Sequence, residues 1–144
     1  MDPQPWENTR SVKWTVTEGP TVLKRGNKYY MFYSANDFRN PDYAVGYATA
    51  DHPLGPWMKS EQKPVISRQR PGINAPGHDE IFTDDKGKMY YVFHTHYSNE
   101  KVAPRRTAMV QISFQDEGGK ERVKVDISLP SLFRSLTDTG FPPT

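Results

Sequence analysis

The sequence predicts an all-β protein built from repeated four-stranded blades, the architecture of a partial β-propeller. Three observations predict it. The chain carries eight Tyr, seven Phe and three Trp, while thirteen Pro and ten Gly cut it into short runs. Few windows hold an apolar 3.6-residue period over three turns, whereas strand-length runs recur. One set of four such runs is followed by a second set in the same order, as successive propeller blades require.

The first set begins with Gly19 to Leu23 and the turn Lys24-Arg25-Gly26-Asn27. The unbroken aromatic run Lys28 to Ser34 is the second strand, and the loop Ala35 to Asp42 follows. Tyr43 to Thr49 is the third strand; after the Pro53-Leu54-Gly55-Pro56 turn, Trp57 to Lys59 is a short fourth. The second set runs through Glu80 to Thr83, the Asp84 to Lys88 turn, Met89 to Thr95 and Thr107 to Phe114. A turn region, Gln115 to Glu121, leads to the alternating strand Arg122 to Ile127. Gly26 aligns with Gly87, Tyr29-Tyr30 with Tyr90-Tyr91 and Phe32 with Phe93, lengthened by an insertion around Pro64 to Pro76. The expected domain is residues 1–128, with blades near 17–60 and 77–128, and residues 129–144 form a further strand or tail. Two blades cannot close a ring, so an oligomer or a complex supplying the missing part of the propeller is expected.

Composition excludes several function classes. Nineteen Lys and Arg stand against seventeen Asp and Glu, a formal net charge of +2 with no basic stripe, which argues against a nucleic-acid partner. No segment has the apolar length of a membrane helix. Residues 1–7 have neither a basic start nor an apolar run, so they do not read as a signal peptide and cellular location stays open. With no cysteine, disulfides and thiolate metal sites are excluded.

In a propeller the inner strands border a central channel, and the residues where they begin converge near its mouth. Glu18 precedes the first inner strand and His78 the second, so the repeat places an acid and an imidazole around one pocket. Read from position alone, Glu18 is a solvated strand-start residue and His78 a hydrogen-bonded core histidine.

The residues then bring a family into view. Thr17-Glu18-Gly19-Pro20 and Lys28-Tyr29-Tyr30-Met31-Phe32-Tyr33-Ser34-Ala35-Asn36 resemble a Glu-Gly-Pro and Tyr-Tyr-x-x-Tyr-Ser signature of glycoside hydrolase family 43. Tyr43 to Ala48 with Pro53 to Trp57, Asn74-Ala75-Pro76-Gly77-His78, and Arg105-Arg106-Thr107-Ala108 are similar to later segments of that family, and Trp6-Glu7 suits the segment before Glu18. The resemblance covers roughly residues 4 to 115, in order.

It implies a five-bladed propeller that cuts α-L-arabinofuranosides or β-D-xylosides of plant polysaccharides by inversion. Inversion uses two carboxyl groups roughly 6.5–9.5 Å apart with a water between them. On this resemblance Glu18 is the catalytic acid, while His78 and Arg105 are substrate-binding residues of the channel, with Arg106 the competitor of Arg105. Phe38, in the loop, is the aromatic best placed to touch a sugar; Tyr33, Tyr43, Tyr47 and Trp57 read better as blade packing. No cofactor is required, although some members hold a calcium or other ion through water near this histidine.

The family's general-base Asp and a second, pKa-modulating Asp come from blades that have no counterpart here. Asp79 should face away from the pocket if His78 faces in. Asp84 and Asp85 are turn residues, and Asp37 and Asp42 lie in a loop without a match to the base. The expectation is therefore a glycosidase that is incomplete alone. The alternative is a non-catalytic carbohydrate-binding or assembly module derived from one. A zinc site of His78, His94 and His96 is a further reading, since three protein ligands suffice for catalytic zinc.

Overall fold

The structure, a computed structural model, describes residues 1–61, 63–69 and 72–126. The expected terminal segment 129–144 and the end of the last predicted strand lie outside the described residues. Two four-stranded antiparallel sheets form, each a simple meander. The first holds β1 (Thr17–Arg25), β2 (Lys28–Ala35), β3 (Ala44–Ala50) and β4 (Met58–Lys59); the second holds β5 (Gly77–Thr83), β6 (Met89–Thr95), β7 (Arg106–Glu117) and β8 (Lys120–Asp126). These are two consecutive propeller blades. Their inner strands β1 and β5 lie side by side, and the Thr21 hydroxyl donates to the Asp79 carbonyl at 2.9 Å.

The hairpins follow from their turn residues. Gly118 and Gly119 both take positive φ, so a two-residue loop with the twist of the flanking strands joins β7 to β8. The expected turn over Gln115 to Glu121 is accordingly shorter than predicted: β7 reaches Glu117 and β8 starts at Lys120. In the second blade Asp84 closes the loop, accepting from the Lys86 and Lys88 amides. Val45 bridges Ile66, which fastens the connecting segment to the first blade, with Ile66 fully buried.

Strand register corrects the expected alignment of the blades. A bulge interrupts β1 between Glu18 and Thr21, opposite Ser34 and Phe32. Its twin interrupts β5 between Gly77 and Glu80, opposite His94 and Val92. Matching the bulges makes Gly77 the counterpart of Glu18, His94 of Ser34, Val92 of Phe32 and Phe93 of Tyr33. Phe93 is therefore not the spatial partner of Phe32, and Gly19, not Glu18, corresponds to His78; Gly19 and His78 share positive φ. The hairpins cause the slip: Arg25 pairs with Lys28 across Gly26-Asn27, whereas Thr83 and Met89 enclose Asp84 to Lys88.

A one-residue slip moves a side chain to the other face of its sheet. Tyr30 and Phe32 thus lie on one face of the first blade, and Tyr91 and Phe93 on the opposite face of the second. The two faces meet. Phe32 packs on Tyr91 at 5.6 Å between ring centroids, and Tyr30 meets Phe114 edge-on at 4.9 Å. All four of Tyr30, Phe32, Tyr91 and Phe93 are buried, each contributing about 1.5–3 kcal/mol. The far face of the first blade is closed by a short 3-10 turn, Pro5–Glu7. Trp6 stacks on Tyr33, and buried Glu7 accepts from Lys59 at 2.6 Å and the Tyr33 hydroxyl at 2.5 Å, so its charge is paired.

Candidate active site

The bulges bring the chemistry together. Both Glu18 and His78 lie within their strands, at the kink, and not just before them as expected. A bulge re-aims side chains that regular pleating would send elsewhere. A Cβ on Gly19 would come within 3.1 Å of the His78 backbone, so the two kinks touch. Glycine is needed at 19 for this approach and for its φ of +59°.

Glu18 is half-buried, and its Oε1 accepts the Tyr43 hydroxyl at 2.7 Å. Tyr43 is itself fully buried, wedged against Gly77, where a Cβ would sit 2.2 Å from its ring. Burial, then the bond to Glu18, raises the Tyr43 pKa, so it stays a donor at any ordinary pH. Ser34 anchors the neighbouring strand: its hydroxyl accepts the His78 amide at 2.8 Å and also reaches Tyr43.

The second blade supplies an imidazole and a guanidinium at the matching positions. His94 stands opposite Gly77 as Ser34 stands opposite Glu18, and Arg105 precedes β7 as Tyr43 precedes β3. Burial, then the nearby Arg105 and His78, lowers the His94 pKa. The Arg105 charge also acts on Tyr43. Its guanidinium lies 5.1 Å from the centroid of exposed Phe38, whose carbonyl is bonded to His96 Nε2 at 2.8 Å. Arg106 turns away onto Tyr97, which separates it from its neighbour. The structure thus gathers Glu18, His78, Arg105 and, through Arg105, Phe38.

Among the described residues, Asp37, Asp42 and Asp79 do not join Glu18. Asp37 pairs with Arg39 at 2.5 Å and Asp42 with Arg68 at 2.7 Å, so the loop carboxylates are held by arginines. His78 is exposed while the Asp79 carboxyl is buried in the interface between the blades. Burial pushes the Asp79 pKa up to about 7, against the opposing hydroxyls of Tyr91 and Ser34. Among the described residues no group of three His, Asp or Glu side chains is placed to hold a metal ion, and His96 Nε2 is occupied by the Phe38 carbonyl. Calcium takes six to eight oxygens. The side chains around His78 offer imidazoles, a guanidinium and the Glu18 carboxylate, a set that does not fit calcium without oxygens from elsewhere. A cleft of about 980 Å³, lined by Trp6, Ala44, Val65 and Val123 among others, includes none of the four expected site residues.

Residues 2–119 match the family described as glycosyl hydrolases family 43. The chain belongs to glycosyl hydrolases family 43. A β-D-galactofuranosidase of Aspergillus niger is 33% identical over 78% of this family 43 chain, which covers 32% of that protein. An extracellular exo-α-(1→5)-L-arabinofuranosidase of Streptomyces avermitilis is 27% identical over 80% of the chain, covering 26% of that protein. Among solved structures, a thermostable family-43 glycoside hydrolase matches with a TM-score of 0.76 and 36% identity, over 92% of this chain and 41% of that one. An endo-1,4-β-xylanase from Bacteroides thetaiotaomicron matches with a TM-score of 0.73 and 35% identity, over 84% and 40%. The chain therefore spans about a quarter to a third of these curated relatives and two fifths of these structures.

Sequence reasoning missed Tyr43 as the partner of Glu18, and it missed Ser34 and His94 beside them. Tyr43 read as packing because an aromatic in a strand run is usually core. Its role was recoverable only from register, which aligns it with Arg105.

Proposed function

We propose that this chain carries the catalytic acid of an inverting glycosidase acting on α-L-arabinofuranosides or β-D-xylosides. The observation that carries this reading is the 2.7 Å bond from Tyr43 to Glu18, at a kink where His78, His94 and Arg105 also converge. Tyr43 remains protonated, so it occupies Oε1 as a donor and leaves the acidic proton of Glu18 on Oε2. That proton passes to the glycosidic oxygen as the bond to the anomeric carbon breaks. A water attacks the opposite face, and a second carboxylate takes its proton. That base comes from outside these residues, from further propeller blades or from another chain, and association into an oligomer or a complex is part of the proposal. Arg105 and His78 bind sugar hydroxyls, and Phe38 stacks on a ring face. No step uses a metal ion.

Cleavage of aryl α-L-arabinofuranoside and aryl β-D-xyloside by the chain with azide as the nucleophile, which needs no general base, tests the acid beside folded Glu18→Gln. Activity lost in the variant supports it, and equal activity refutes it. A second reading, a non-catalytic sugar-binding module, is favoured by the pairing of Asp37 and Asp42 with arginines. Calorimetry with xylo- and arabino-oligosaccharides that finds binding without turnover would select it.

A further inference from the structure

Asp79 is a buried carboxyl that the proposed reaction does not use. Both its oxygens are closed to solvent and neither completes a hydrogen bond of good geometry; the buried Tyr91 hydroxyl beside it is likewise unsatisfied. Such groups cost free energy, so two of them together at the foot of a candidate site ask for a role.

Ser34 connects them to the site. Its oxygen already accepts the His78 amide at 2.8 Å, which leaves one hydroxyl proton to give. Ser34 Oγ and the Tyr43 ring both crowd the point where a Cβ on Gly77 would sit, and the buried Asp79 carboxyl follows directly on the His78 amide that Ser34 holds, so the Tyr43 phenol oxygen and the Asp79 carboxyl are its two neighbouring acceptors. Tyr43 in turn donates to Glu18.

We propose that Asp79 is a positioning residue, and that the single Ser34 proton is the link through which it governs the bond from Tyr43 to Glu18. With Asp79 protonated, Ser34 gives its proton to Tyr43 and the phenol donates to Glu18 more strongly, as hydrogen bonds in series polarise one another. Once Asp79 loses its proton to solvent, the charged carboxylate is the stronger acceptor and takes the Ser34 proton. Tyr43 then loses its donor. The change falls near neutral pH, since burial holds the Asp79 pKa at about 7.

The groups facing Asp79 come from several strands: Glu80 beside it on β5, Tyr91 from β6, Ser34 from β2, and Tyr43 ahead of β3 with Glu18 behind it. His78 precedes it on β5, and Arg105 and His94 act from the second blade. The functional meaning rests on Glu18 being the acid, but the link itself does not.

The test is an NMR titration of the chain labelled with ¹³Cζ-tyrosine, with Tyr43 assigned through Tyr43→Phe. The Tyr43 resonance should move with a midpoint near pH 7. That movement should vanish in Asp79→Asn and in Ser34→Ala, each checked for folding by its amide spectrum. A flat wild-type resonance, or the same movement in a folded variant of either kind, overturns the link. Failure of the acid reading would show separately, as unchanged azide-supported cleavage by Glu18→Gln.

Discussion

The two blades are the same meander with opposite chemistry at one position. At the bulge the first blade presents Glu18, Ser34 and Tyr43, and the second presents Gly77, His94 and Arg105. One set is an acid with its tyrosine donor and a serine; the other is an imidazole and a guanidinium around a glycine. The blade faces differ too. Tyr47 is 4% exposed against the second blade, whereas its counterpart Met109 is 40% exposed, and Phe82 beside stacked Tyr90 is 43% exposed. A repeated scaffold thus fixes where side chains point, while the residue at each copy decides whether that place holds an acid, a cation or space for a neighbour.

Four substitutions break or sharpen that contrast. Glu18→Gln should have the largest effect, lowering azide-supported cleavage by about 10²–10⁴-fold with the fold retained, as loss of a general acid does. Steady-state rates on aryl glycosides read it.

Asp79→Asn should stabilise the chain at pH 8 and leave it nearly unchanged at pH 4. The folded pKa is raised from 3.8 to about 7, so the linked stability is complete below about pH 4 and lost as pH rises to 7. The gain at pH 8 is at most about 4 kcal/mol, at about 1.4 kcal/mol per pKa unit. Urea denaturation across pH 4 to 8 checks it, and a pH-independent difference would oppose it.

Gly77→Ala should cost about 1–3 kcal/mol, because the new methyl meets the buried Tyr43 ring and Ser34 Oγ. It should also lower activity by dislodging the donor to Glu18, which tests whether glycine is present at this copy to make room for Tyr43. Thermal unfolding and activity should fall together.

Glu121→Gln should have the smallest effect. Glu121 joins the blades by accepting from Arg25 at 2.8 Å and from the Tyr30 hydroxyl at 2.8 Å. The Arg25 bond, then the Tyr30 bond, lowers its pKa, so its contribution is present above pH 4.5 and fades as pH falls below that. The pair is largely exposed and screened, so the loss is about 0.5–1 kcal/mol at pH 7 and shrinks with salt. Denaturation at low and high salt separates it from a packing defect.

Much of this was legible in the sequence. Each of the eight blade strands expected among the described residues formed, because Tyr and Phe runs bounded by Gly and Pro leave few other choices. Motifs pointed to Glu18, His78 and Arg105 as candidates, and a loop position to Phe38. What could not be read was register. Matching Tyr29-Tyr30 to Tyr90-Tyr91 aligns letters, but the longer Asp84 to Lys88 hairpin shifts the strand by one residue and turns it over. Tyr43, Ser34 and Asp79 were hidden for the same reason: which neighbour each meets depends on two bulges that no local pattern announces.

The central claim is that Glu18 delivers a proton to the leaving group. Azide tests it most directly, because it attacks without needing a general base. With phenyl α-L-arabinofuranoside, whose leaving group needs protonation, azide should accelerate phenol release by the wild-type chain and give an inverted glycosyl azide. Glu18→Gln should show no acceleration. Equal acceleration in the folded variant would contradict the assignment of Glu18 as the acid.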